Sequence, residues 1–274
     1  MGALAQILPA WLLYTLAYLL AAMIGLVGAA VVNLLADRVI GEDEPKRSAR
    51  QCTRCGEPLP RPQFIALPEL WRRRRCPTCN AQVSRRRPLV ELTLALLVPL
   101  LLAHLLLAHL LLASEVALRL PGWAVFAFEA LAVLTLAGVF VVDLEHRLIY
   151  DLAVYPLGAL ALLLALIFDR AALAPMLVGA GICGGLFLLF YGLGWLIYRQ
   201  EALGFGDVKL AALVGLLVGW PAVTTALLLT AVAGVVVSLL LLGLGNVGRR
   251  SYVPFGIFLS AAAALTLLLA PPVW

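Results

Sequence analysis

Charge is scarce in this sequence. Asp, Glu, Lys and Arg together make up 13% of its 274 residues, against 64% hydrophobic ones. A soluble domain of this size needs a far more polar surface, so that class is excluded, and a mean hydropathy of +1.03 points to a chain dissolved in lipid. Extended polar stretches are missing too, with one exception at residues 37–88. No Lys or Arg precedes the first apolar stretch, around Trp11 to Val32, and no small-residue cleavage pattern stands out, so it reads as a retained first span.

Apolar runs are what the sequence has in abundance. A bilayer core roughly 30 Å thick takes about 20 apolar residues per helix, and the runs predict eight helices over 10–36, 89–113, 122–142, 150–168, 173–197, 207–220, 222–243 and 254–271. Breaks fall at Pro121-Gly122, at Trp220-Pro221, which leaves only a tight turn between spans six and seven, and at Gly243 to Gly248. The fold class is therefore an all-α polytopic membrane protein of about eight transmembrane helices with one small cytoplasmic domain. It divides as a first helix in 1–36, the polar segment 37–88, and a seven-helix membrane domain in 89–274.

The few charges are unevenly placed. Thirteen of the 20 Lys and Arg residues lie between Arg38 and Arg87. If that segment is cytoplasmic, eight spans put Arg147, Arg199, Lys209, Arg249 and Arg250 on the same side, and only Arg119 and Arg170 face outward. The positive-inside rule then predicts a multi-pass inner-membrane protein with both termini outside the cytoplasm.

Four of the five cysteines fall within 28 residues, as Cys52-Thr-Arg-Cys55 and, 20 residues on, Cys76-Pro-Thr-Cys79. Two such knuckles can set four thiolates at the corners of a tetrahedron around zinc. A cytoplasmic location disfavours disulfides, and Arg54 and Arg72 to Arg75 favour ionised thiolates. With all four ligand positions filled, the zinc is structural, the staple that a segment this small requires. Four reduced thiols or a redox pair is the alternative. Cys183, inside an apolar run, reads as an ordinary buried thiol.

Acids in or beside apolar spans are costly and call for a functional reading. The candidates are Glu91, Glu129, Asp143 and Asp207, with Glu145 and Asp151 near the membrane edge. Asp143 follows the apolar run Leu131 to Val142; Asp207 ends Gly204-Phe205-Gly206-Asp207 and precedes the apolar run from Val208. Eight spans place both at the cytoplasmic ends of helices. Two carboxylates held close in a low-dielectric site do not both ionise easily, so the pair titrates as a unit. The ionised member can activate a water while the protonated one polarises a peptide carbonyl. Two plainer readings stand beside this: Asp207 as a helix N-cap, and Asp143 as a solvated interfacial acid. A transporter using acids for proton-linked flux, and a zinc-ribbon assembly scaffold, are the other classes open at this point.

Six blocks resemble a known family. Gly25-Leu-Val-Gly-Ala-Ala-Val-Val-Asn33 is similar to its glycine-rich run ending in Asn, and the two cysteine knuckles follow. Then come Arg87-Pro-Leu-Val-Glu-Leu92, Asp143-Leu-Glu-His-Arg-Leu-Ile149, Gly204-Phe-Gly-Asp-Val-Lys-Leu210 and Pro254-Phe-Gly-Ile-Phe-Leu259. In order and in topology these resemble the type IV prepilin peptidases, intramembrane aspartic proteases of the GxGD class. Tyr150 stands where that family usually has Pro, Arg87 where an aromatic is common, and Ile257 where the last block usually has Pro.

The resemblance implies that Asp143 and Asp207 are the catalytic pair, supported by Gly204, Gly206 and Lys209, and that the seven-helix part is a peptidase domain. It implies prepilin or type II secretion pseudopilin substrates, whose basic leaders are cut after a glycine at the cytoplasmic face. It also implies methylation of the new N-terminus with S-adenosylmethionine. Membrane lipids are the other partners expected, with the basic residues of 38–87 on anionic headgroups, and nucleic acid is not among them.

Overall fold

The computed structural model describes residues 10–43, 55, 75–76, 78–80, 85–111, 122–199, 203–244 and 254–270. Among these residues the chain is helical and has no strand. Eight helices are present: α1 (Ala10–Asp43), α2 (Arg86–Leu111), α3 (Gly122–His146), α4 (Asp151–Phe168), α5 (Leu173–Tyr198), α6 (Phe205–Val218), α7 (Val223–Gly243) and α8 (Gly256–Leu269). A single 3-10 turn, Arg170–Ala172, precedes α5. Six of the helices are long and apolar enough to cross a membrane. The two others, α6 and α8, have 14 residues each, which makes them about 21 Å long and shorter than the hydrocarbon core.

The chain divides into two compact units, Met1–Leu106 and Leu107–Trp274. In the first, α1 and α2 meet through small and polar residues. Gly25 lies against the Leu94 carbonyl, where any side chain would collide with α2 backbone. Towards the other end of the pair, Asn33 Nδ2 donates to the Arg87 carbonyl at 3.3 Å, and Asp37 pairs with the guanidinium groups of Arg86 and Arg87. Asp37, just past the end of the apolar run at residue 36, is thus held in α1 by a neighbouring helix. Glu91, on α2, is 1% exposed and near enough to Arg87 for their charges to interact.

The second unit is built around α6. Ten of its 14 residues are buried, from Asp207 to Val218, as befits a helix apolar on every side. It packs against α4, α5 and α8, while α3 and α7 flank α8. The seam between α5 and α6 is closed by glycines: Gly215 rests directly on the Gly179 peptide, and a carbon added at Gly184 would come within 2.9 Å of Ala212 Cβ. Small residues at such a seam let two backbones approach as closely as lipid-embedded helices can. Gly219 ends α6 with φ 64°, and the Trp220 N–H donates to the Pro175 carbonyl at 2.9 Å. The tight break expected at Trp220-Pro221 is thus tied to the start of α5.

Gly215→Ala puts a methyl 2.5 Å from the Gly179 carbonyl carbon and 2.8 Å from the Ala180 nitrogen, both backbone atoms with no side chain to move aside. The substitution is expected to destabilise the protein by about 3 kcal/mol, at the upper end of overpacking costs. Thermal unfolding in detergent followed by helical circular dichroism checks this; an unchanged midpoint would mean that the seam is looser than it looks.

Candidate active site and cysteine cluster

Three helix termini and one loop meet around Asp143 and Asp207. Asp143 lies in the last turn of α3. That helix runs past the expected end at 142 because Asp-Leu-Glu-His continues it, and it closes where Arg147 takes the left-handed conformation (φ 57°). The Arg147 N–H donates to the Asp143 carbonyl at 2.9 Å, the bond that satisfies a helix C-terminus. Asp143 is 4% exposed, and its Oδ2 is buried with no hydrogen-bond partner among the described residues.

Asp207 sits in the first turn of α6, but it is not the cap. Gly204, extended at φ −69° and ψ 141°, occupies the N-cap, and Phe205 and Gly206 precede Asp207 in the helix. The Asp207 N–H donates to the Gly204 carbonyl at 3.0 Å. Its carboxyl turns back to the Gly204 amide, as an acid at the third helical position does in a capping box. The N-cap reading of Asp207 is therefore corrected. So is that of Asp143 as a solvated acid, because both carboxylates are 4% exposed.

The two acids are close enough for the charge of Asp143 to act on Asp207. The backbone amides of Gly256 and Ile257, at the start of α8, reach the Asp143 carboxyl. Each acid thus faces the amide end of a short helix, where the backbone dipole and unpaired N–H groups favour negative charge. Gly256 is in contact with the Asp143 side chain: a carbon added there would lie 2.7 Å from Oδ2 and 3.1 Å from Cγ. Ile149, from the loop between α3 and α4, fills the space between the starts of α6 and α8. Its Cβ comes within 3.1 Å of a carbon built on Gly206, and its Cδ1 within 3.2 Å of one built on Gly256.

Lys209 belongs to the same turn of α6 but is directed away from the acids. Its ammonium donates to Asp151 Oδ1 and Oδ2 at 2.7 and 3.1 Å. It also lies 5.6 Å from the Tyr155 ring and 5.3 Å from the Phe205 ring, within cation–π range. It therefore ties the first turn of α4 to that of α6. Phe205 in turn stacks edge-on against Tyr191 of α5 at 5.6 Å. Glu129 is buried in α3 with Oε2 unpartnered among the described residues, but it precedes Asp143 by 14 residues, about 21 Å along the helix, and takes no part in this site.

Reading the sequence did not single out Gly256 or Ile149 as parts of the site. Both stand inside the matching blocks quoted above, but only the fold shows that Gly256 meets the Asp143 carboxyl and that Ile149 packs between Gly206 and Gly256.

In the first unit, three of the four predicted metal ligands come together. The ligand atoms of Cys55, Cys76 and Cys79 all lie within 4.8 Å of one another, and the sulfurs of Cys55 and Cys76 are 3.5 Å apart. Zn–S bonds of about 2.3 Å put tetrahedral sulfurs about 3.8 Å apart, so the donor set fits a thiophilic cation and could hold one. Amides of Cys79 and Thr78 directed at Cys76 hold its thiol below the usual cysteine value, towards the thiolate that binds metal. The turn closes with Asn80, left-handed at φ 57°, donating to the Cys76 carbonyl at 2.9 Å. Cys52 lies outside the described residues.

Two family profiles match different parts of the chain. Residues 130–239, which include Asp143 and Asp207, match the profile of the Type IV leader peptidase family. Residues 23–105, which include the four clustered cysteines, match that of the bacterial peptidase A24 N-terminal domain. The prepilin leader peptidase/N-methyltransferase of Aeromonas hydrophila is 31% identical over 290 residues, covering 97% of this chain and 93% of its own length. The protein of the same name from Pseudomonas aeruginosa is 28% identical over 83% of this chain and 76% of its own. No solved structure matches the chain.

Proposed function

This chain belongs to the type IV leader peptidase family, and from that premise we propose that it removes the basic leader of type IV prepilins or type II secretion pseudopilins, with Asp143 and Asp207 as the reacting carboxylates. The observation that carries the reading is the burial of both acids, 4% exposed each, within electrostatic reach of one another at the ends of α3 and α6. One carboxylate accepts a proton from water as that water attacks the scissile carbonyl. The other donates its proton to the carbonyl oxygen as the tetrahedral intermediate forms. Collapse of the intermediate breaks the C–N bond: the departing amine takes the proton that the first carboxyl accepted from water, and a hydroxyl of the diol returns a proton to the second.

The cut lies at the cytoplasmic edge of the inner membrane, both termini are outside the cytoplasm, and 18 of the 20 Lys and Arg residues face inward. The charge distribution supports this orientation. Basic residues of 38–87 rest on anionic headgroups. The polar segment 37–88, whose two ends belong to α1 and α2, supplies the proposed cytoplasmic domain between a first helix in 1–36 and a peptidase domain in 89–274. Mixing membranes that contain the protein with a tagged prepilin tests the cleavage: a leader-sized mobility shift is expected, and an unprocessed substrate would refute it.

The relatives carry a second activity in their names, and the same is proposed here, a methyl group passing from S-adenosylmethionine to the freed amine. Mass spectrometry of the processed N-terminus should find the methylated form only when that donor is supplied. In the cysteine cluster, zinc held by Cys55, Cys76 and Cys79 with Cys52 as fourth ligand would staple the domain and leave no position open for catalysis. Metal analysis of purified protein is expected to give one zinc per chain, falling to background in Cys76→Ser. A wild-type protein without zinc would exclude the assignment.

A further inference from the structure

The start of α6 meets a different neighbour at almost every residue. Phe205 stacks on Tyr191 of α5 at 5.6 Å. Gly206 lies against Ile149, whose Cβ comes within 3.1 Å of a carbon built there. Asp207 is within electrostatic reach of Asp143. Lys209 extends to Asp151, the first residue of α4, with its ammonium 2.7 and 3.1 Å from the two carboxylate oxygens. The same ammonium lies over the Phe205 and Tyr155 rings. The turn has little of its own to hold it. Its N-cap is Gly204, which has no side chain to cap with. The one carboxyl that turns back to the Gly204 amide is that of Asp207, itself a proposed reacting group. The placement of this turn therefore depends on its neighbours.

We infer that Asp151 and Lys209 are positioning residues for the reaction: their ion pair fixes the start of α6 to the start of α4 and so sets Asp207 against Asp143. The inference rests on those two acids being the reacting pair. The connection is short. The single stretch Arg147 to Asp151 runs from the left-handed end of α3, past Gly206 and Gly256 at Ile149, to Lys209. It joins the helix that carries Asp143 to the turn that carries Asp207. Residues two apart on a helix point to different sides, so Lys209 acts on Asp207 through the backbone and not by contact. The pair is open to water, with 53% of the Asp151 side chain and 23% of the Lys209 side chain exposed. An exposed ion pair adds little to global stability, so its loss is expected to show in the placement of the turn rather than in unfolding.

The test is steady-state cleavage of a purified prepilin by the full-length protein in liposomes, with thermal unfolding of each variant measured beside it. Asp151→Ala and Lys209→Ala should each lower kcat by about tenfold, less than the roughly 10²-fold cost of an ångström of misplacement, because Phe205 and Ile149 still hold the turn. KM and the thermal midpoint should stay close to wild type. The double Ala variant should be no slower than either single one, since both remove the same tie. Lys209→Arg keeps a cation for Asp151 and should retain most of kcat. An unchanged kcat in Asp151→Ala overturns the inference. So does a higher KM at unchanged kcat, which would make the exposed Asp151 a contact for the basic leader. A fall in kcat that merely tracks a fall in the midpoint, with no recovery in Lys209→Arg, would make the pair a stabilising contact and overturns it too. Should Asp151→Ala fail to fold, Asp151→Asn, which keeps the size and removes the charge, decides in its place. Asp143→Asn runs in parallel. If it still cleaves, the reading of the acids fails first; if it is inactive while Asp151→Ala cleaves at full rate, only the positioning role fails.

Discussion

Asp143→Asn and Asp207→Asn are each expected to lower leader cleavage by roughly 10³-fold or more, since each removes one partner of a proton-transfer pair whose members typically contribute 10²- to 10⁴-fold. The double variant should be hardly worse than either single one, because residues that act as a unit do not contribute additively. Asn keeps the size of Asp, and the amides of Gly256 and Ile257 meet the Asp143 carboxyl while that of Gly204 meets the Asp207 carboxyl, so helix content and thermal midpoint should hold. Single-turnover cleavage of a purified prepilin measures the loss. A double variant far slower than both single ones would show that the two acids act independently.

Gly256→Ala is expected to have the next largest effect, and of an unusual kind. The new methyl would lie 2.7 Å from Asp143 Oδ2. Since that atom is the end of a side chain, the carboxyl can swing aside at small cost to stability. A displacement on the ångström scale costs a positioned catalytic group about 10²-fold in rate. Cleavage should therefore fall by about two orders of magnitude while the thermal midpoint barely moves, the reverse of Gly215→Ala, where backbone meets backbone. Parallel measurement of kcat and unfolding separates the two. A full-rate Gly256→Ala protein would mean that Asp143 is not held against α8.

Much of this architecture could be read from the chain itself, for identifiable reasons. Apolar runs of span length separated by Pro and Gly mark helices whatever their neighbours, and all eight lie within a few residues of where the runs put them. The ends that moved did so through contacts beyond the run: α1 continues because Asp37 meets Arg86 and Arg87, and α3 because its cap is Arg147. The 14-residue lengths of α6 and α8 were hidden, because Trp220 and the residues flanking α8 are as apolar as the helices themselves. The cysteine spacing foretold the clustering of Cys55, Cys76 and Cys79, since two knuckles have few ways to converge.

Contacts across long sequence separations were not legible. Residues 143, 149, 206 and 256 become neighbours only when α3, α6 and α8 pack, and no local periodicity records that. Lys209 shows the same limit. The resemblance gave it as support for the acids, and its partner Asp151, 58 residues away, is visible only in the fold.

The pairing of Asp143 with Asp207 for peptide hydrolysis is tested most directly in liposomes holding purified wild-type, Asp143→Asn or Asp207→Asn protein, each mixed with one prepilin and scored by mass spectrometry for the freed leader. Leader should appear with the wild-type protein alone. Its release by either variant at a rate within tenfold of wild type would contradict the pairing.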